Sequence, residues 1–113
     1  MQKITKNMSW IYLLIAGVFE TAWAIGLKYT EGFTKLYPSL WTAASMILSL
    51  YFLSLSLKTL PIGTAYAVWT GIGALGAFIF GIVLFKEPIE FWRIFFISLL
   101  IISLVGLKST SGM

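Results

Sequence analysis

Glu20 is the only charged side chain between Trp10 and Leu27, in an apolar run long enough to cross a membrane as a helix. A carboxylate near the centre of a bilayer costs about 2.5 to 3.5 kcal/mol on insertion scales, so its retention points to ion or proton handling. Trp23 follows three residues later and shares its helical face. In a later apolar stretch Tyr66 and Trp69 repeat that spacing and give their helix one aromatic face. A carboxylate walled by Trp and Tyr is a sound cation site, because the ring faces attract positive charge and a planar guanidinium can meet a carboxylate with two parallel hydrogen bonds. The competing reading is that these rings pack against neighbours or face lipid.

Other chemistries are poorly supplied. The chain has no His and no Cys, which removes thiol nucleophiles, Ser-His pairs, Cys/His metal clusters and disulfides. We expect neither an enzyme nor a cofactor or metal. Glu31, Glu87 and Glu90 lie in connections beside Lys or Arg and read as solvated flanks.

The elements that must position Glu20 are membrane helices. Hydrophobic residues make up 59% of the 113 and charged residues 11%, with a mean hydropathy of +0.94, whereas a soluble domain carries about 25% charge. The sequence predicts an all-α integral membrane protein of one domain, with four spans at about 10–27, 36–57, 62–85 and 91–107. Pro38, Pro61 and Pro88 each mark the start of a span, where a missing N–H is harmless. Lys3 and Lys6 before an apolar run with Ala22-Trp23-Ala24 have the outline of a secretory signal, but Glu20 inside the run and three further spans speak against it.

The connections, 28–35, 58–61 and 86–90, are too short for anything but antiparallel hairpins. Four helices are too few to enclose a pathway for more than an ion, so oligomerisation is expected. Lys3, Lys6, Lys58 and Lys108 fall on one side of the membrane, and Lys28, Lys35, Lys86 and Arg93 on the other. Four against four gives the positive-inside rule nothing to act on. Two opposed copies would then recreate the inverted symmetry that larger transporters build into one chain. The net charge of +4 suits anionic headgroups better than nucleic acid, since no basic stripe stands outside the membrane.

Trp10, Trp41 and Trp92 are assigned to interfacial aromatic belts, and Trp23 and Trp69 lie deeper. In the third span Gly63, Ala67 and Gly71 form one small-xxx-small series, and Gly73, Ala77 and Gly81 another. Gly71, Gly73 and Gly76 would also weaken the middle of that helix, as a bend or as a packing surface.

Several stretches resemble the small multidrug resistance family. They are Gly17-Val18-Phe19-Glu20-Thr21-Ala22-Trp23-Ala24, Leu27-Lys28-Tyr29-Thr30-Glu31-Gly32-Phe33, Pro38-Ser39, Gly106-Leu107-Lys108 and above all the run from Lys58 to Gly73 that contains Pro61, Tyr66 and Trp69. The likeness runs from about Met8 to Lys108 and is nearest to the guanidinium exporter subtype. It implies an antiparallel homodimer in a bacterial inner membrane that exchanges a guanidinium-type cation for protons. By the same resemblance Glu20 is the central carboxylate that binds proton or substrate in turn, and Tyr66 the tyrosine that gates between them. Trp23 is the subtype's tryptophan, Trp69 the pocket tryptophan, and Ser49 a serine that hydrogen-bonds the carboxylate. Without the family, Ser49 reads as a helix hydroxyl bonded to its own backbone. Met8-Ser9-Trp10 is similar to the usual family start, which makes residues 1–7 an expected extension or misassigned start; without Lys3 and Lys6 the basic count would be two against four.

Proton and cation would compete for Glu20, and antiport follows if the dimer changes its open side only when occupied. Two alternatives keep Glu20 in the same role: a broad quaternary-ammonium exporter, for which Trp23 leaves little room, and one subunit of a heterodimer. A third, a membrane assembly protein, would use Glu20 only for helix association.

Overall fold

The computed structural model describes residues 5–110. They form four helices: α1 (Lys6–Thr30), α2 (Leu36–Ser56), α3 (Ile62–Phe85) and α4 (Phe91–Thr110). All four are long and apolar enough to cross a membrane. Lys3 lies outside the described residues.

The ends of the helices follow local chemistry more than hydropathy. The Thr5 hydroxyl accepts from the Met8 N–H at 3.2 Å and caps α1 ahead of the expected start. At the other end α1 passes the charged Lys28 and stops at Thr30, whose buried hydroxyl donates to the Leu27 carbonyl at 2.7 Å and accepts from the Phe33 N–H at 3.2 Å. Glu31, Gly32 and Phe33 then take positive φ and turn the chain toward α2. Pro38 stands in the first turn of α2, Pro61 is the cap of α3, and Pro88 lies in the loop before α4, where its carbonyl accepts from Arg93 at 2.8 Å. In each place the absent N–H would have had no intrahelical partner.

α1 is the hub, packed on α2 and on α3. It runs antiparallel to α2 and parallel to α3. The buried face of α2 is Thr42, Ser45, Ser49, Leu53 and Ser56, spaced by three or four residues. Four of those five are hydroxyl residues, small enough to let two helices approach closely where lipid offers no hydrophobic drive between them. Ser49 and Ser56 are fully buried, each donating to a backbone carbonyl, of Ala16 and Leu53, at 2.7 Å. Phe52 of α2 stacks on Tyr12 and Phe19 of α1 and closes the same seam.

The α1–α3 seam depends on glycine. α3 runs uninterrupted through Gly71, Gly73 and Gly76, and these residues serve packing: Gly71 lies against Leu104, Gly73 against Glu20 and Gly76 against Thr21. Of the first expected series, Gly63 faces open space, so that run is not a continuous contact surface. The second series does meet neighbours, with Gly73 under Glu20 and Gly81 under Glu87.

Two flanking residues do more than expected. Trp41, assigned to an aromatic belt, is exposed and also lies on Gly26 and donates its indole N–H to the Ala22 carbonyl at 3.0 Å, so it pins α2 to α1 as well. Glu87, expected to be a solvated flank, accepts from Lys28 at 3.5 Å and from Arg93 at 3.4 Å and is about one third exposed. Glu31 does behave as a surface acid, paired with Lys35 at 3.8 Å.

α4 touches α3 and buries none of its residues. The Lys108 ammonium stands 5.1 Å from the Trp10 ring, placing the start of α1 and the end of α4 on one side. The Lys28–Glu87 pair places the first and third connections together on the other.

Candidate cation site

Glu20 lies in the middle of α1, partly buried, with its carboxylate against the backbone of α3 at Gly73. Only a residue without Cβ leaves room there for the carboxylate. Oε1 of Glu20 is buried and has no hydrogen-bond partner among the described residues, and the same holds for Nε1 of Trp23 one turn further on. Buried polar groups are normally paired, so an acceptor and a donor left open one turn apart on the same helix mark a place prepared for something other than packing. Trp23 is also partly buried, with its ring against the core.

One turn toward the start of both parallel helices lies a second cluster. The Ser49 hydroxyl donates to the Ala16 carbonyl at 2.7 Å and accepts from the Trp69 indole N–H at 2.9 Å, so one buried oxygen joins α1, α2 and α3. Ala16 precedes Glu20 by four residues and Trp69 precedes Gly73 by four, which stacks this junction directly on the carboxylate's level. Trp69 is 7% exposed and fixed, whereas Tyr66, with its ring centroid 5.4 Å from that of Trp69, is 57% exposed. Tyr66 therefore presents its ring and hydroxyl outward from the bundle.

The structure thus groups Ser49, Tyr66 and Trp69 around one junction and sets Glu20 and Trp23 on the adjoining turn. It corrects the role drawn from resemblance for Ser49. Its single O–H is directed to the Ala16 carbonyl, so within one protomer it orients Trp69 and does not donate to Glu20. The self-bonded alternative fails as well, since the accepting carbonyl is on another helix.

The α2 hydroxyl stripe escaped the sequence reading, which sought small residues only in α3. Its signal was present, because Thr42, Ser45, Ser49 and Ser56 keep helical spacing. Thr42 carries the third buried unpartnered polar atom, its hydroxyl lying against Gly26.

The glycines under the site give a direct test. At Gly73 a new Cβ would meet the Glu20 carboxylate, the mobile end of a long side chain; at Gly76 it would meet Thr21, whose branched Cβ is only 2.9 Å away. Gly73→Ala should keep the fold and displace the carboxylate, so that cation binding falls and the melting temperature holds. Gly76→Ala should push α1 from α3 and lower the melting temperature. Equal thermal losses in the two variants would show that the Gly73 contact is ordinary packing.

Four membrane-length helices, with an intramembrane carboxylate held between α1 and α3 and aromatic side chains on the adjoining turns, define a small multi-pass membrane protein of the cation-handling class. The profile of the Small Multidrug Resistance protein family matches residues 8–100, and the chain belongs to that family. It is 51% identical over 104 residues to a guanidinium exporter of Proteus vulgaris, covering 92% of this chain and all of that protein. It is 57% identical over 101 residues to a guanidinium exporter of Citrobacter freundii, covering 89% of this chain and 96% of that one. Against a guanidinium exporter of Salmonella typhimurium strain LT2 the identity is 54% over the same length. The chain is a multi-pass transporter of the bacterial inner membrane.

Proposed function

We propose that this protein exports guanidinium and small guanidinyl cations in exchange for protons, with Glu20 binding each in turn. The observation that carries this reading is the buried, unpartnered Glu20 oxygen with the unpartnered Trp23 indole one turn further along the helix, in a chain 51–57% identical to proteins named guanidinium exporters. Guanidinium stays charged at any accessible pH, so in lipid it needs a counter-charge. A carboxylate supplies that charge together with acceptors in the geometry of the guanidinium fork. When the cation binds, the protonated carboxyl releases its proton to water; when it leaves, a proton takes its place. Exchange is obligatory if the protein turns its open side only when Glu20 is neutralised.

Each aromatic has a distinct role in this reading. Trp23 offers a ring face and limits the size of the cation, Trp69 forms a fixed wall held by Ser49, and Tyr66 is the mobile gate. The acting unit is a homodimer of opposed copies. Its support is the even division of basic residues between the two sides and an α4 with no buried residue in the single chain.

The deciding experiment is to challenge proteoliposomes with guanidinium, short alkyl guanidiniums and a bulky quaternary ammonium, following uptake and proton flux together. Guanidinium uptake coupled to opposed proton movement supports the reading; preference for the quaternary ammonium favours a broad exporter instead. No proton release from detergent-solubilised protein on adding guanidinium would leave only a role in helix association. Trp23→Gly should reduce affinity for guanidinium by the roughly 0.5 to 2 kcal/mol of a cation–π contact and admit larger cations. An unchanged substrate range in that variant would make Trp23 a packing residue.

A further inference from the structure

We propose that the groove between α1, α3 and α4 beneath Lys28 and Arg93 binds one anionic phospholipid, its phosphate held by the two cations and an acyl chain lying along the groove. The site is separate from Glu20. At its mouth two bases share one acid, since Lys28 and Arg93 both reach Glu87, at 3.5 and 3.4 Å. The cluster therefore keeps a net positive charge. Each cation also lies on a ring, Lys28 at 4.5 Å from the centroid of Phe85 and Arg93 at 5.0 Å from that of Phe78, which fixes both at the mouth. An ammonium has three N–H donors and a guanidinium five, and Glu87 with the Pro88 carbonyl engages only some of them.

The level is that of lipid headgroups. Tyr29 packs on Phe85 with centroids 5.2 Å apart, and exposed Phe91 and Trp92 open α4 on the same side, which together form an interfacial aromatic belt. Below the belt is a cavity of about 420 Å³, floored by Ala24, Ala74, Ala77 and Gly81 and walled by Ile97 of α4. Small residues on α1 and α3 leave this space. A phosphate over two cations with an apolar slot beneath matches a phospholipid better than a free anion, which would gain nothing from the slot.

The test uses the full chain, purified in detergent and stripped of lipid, with bound lipid counted by native mass spectrometry. Phosphatidylglycerol and phosphatidylcholine with identical acyl chains are compared. A basic residue at a membrane surface contributes on the order of fivefold to anionic lipid binding, and Glu87 offsets part of the pair, so a preference between roughly fivefold and thirtyfold is expected. The double variant Lys28→Gln, Arg93→Gln should bring the preference close to one. Glu87→Gln should raise it by releasing both cations. Ala77→Leu should lower phosphatidylglycerol binding with every charge in place, and it keeps the proposal testable if the double variant fails to fold.

Equal binding of the two lipids, phosphatidylglycerol binding unchanged in Ala77→Leu, or a preference unchanged in Glu87→Gln would overturn the proposal and leave the cluster as an ion-paired strap. Displacement of phosphatidylglycerol by millimolar inorganic phosphate would assign the site to a free anion, also against it.

Discussion

Glu20→Gln should abolish guanidinium-coupled proton movement while leaving a protein that inserts and folds at least as well as the parent. The amide keeps the shape of the side chain against Gly73 and removes the charge. Insertion should improve, because an ionised carboxylate at the bilayer centre costs about 2.5 to 3.5 kcal/mol. Loss of function could then not be traced to loss of structure. Each charge-assisted hydrogen bond contributes about 1.5 to 3 kcal/mol, so losing a bidentate pair should weaken binding by roughly two to four orders of magnitude. Proton release on adding guanidinium should vanish with it, since one group serves both ligands. Glu20→Asp is the informative companion: it keeps the charge, withdraws it from Gly73 by one methylene, and should exchange protons at altered affinity. Proton-coupled uptake by Glu20→Gln would remove Glu20 from the mechanism.

The difference between Glu20 and Ser49 shows what sequence alone could reach. A charge in an apolar run is conspicuous because its cost is large and local, so Glu20 stands out as a candidate without any structure. The helices were legible for the same reason, as backbone in lipid must satisfy itself and only long apolar runs can do so. Ser49 depends on where three helices meet. Its partners, Ala16 and Trp69, are 33 and 20 residues away along the chain, and no local spacing encodes such a junction. The same holds for Trp41, whose partner carbonyl lies on another helix, and for Glu87, which is linked to Lys28 across 59 residues. The α2 stripe is a different kind of omission. Its periodicity is present in the sequence, but a hydroxyl side chain draws attention as a hydrogen-bonding group before its small volume does, and it is the volume that lets helices meet in lipid.

The glycines mark the boundary between these cases. Counting them identified α3 as the helix of close approach, but which side each one serves required the neighbours. Gly63 has none, Gly71 supports α4, and Gly73 and Gly76 support α1. Gly73 alone belongs to the candidate site, because the atom it accommodates is a carboxylate oxygen.

The orientation of the chain in the membrane should be double, and it should be tunable by charges far from Glu20. Counted over the whole sequence, each side of the hairpin topology carries four basic residues, so neither insertion is favoured. Thr110→Cys places a label at the end of α4 without altering that balance, in a chain that has no other cysteine. An impermeant thiol reagent should reach it from both faces in comparable amounts. Lys35→Gln with Lys86→Gln leaves four against two in favour of the side that carries the label, and labelling should then collapse toward the cytoplasmic face, where the more basic side is retained. Lys6→Gln with Lys58→Gln should collapse it the other way. If opposed copies form the working unit, either double variant alone should lose most of its transport, although Glu20, Trp23, Ser49, Tyr66 and Trp69 are untouched. Co-expression of the two should restore transport, because each supplies the orientation the other lacks. Single-face labelling of the Thr110→Cys protein, or full transport by one biased variant alone, would mean that the copies are parallel or that the partner is a different chain.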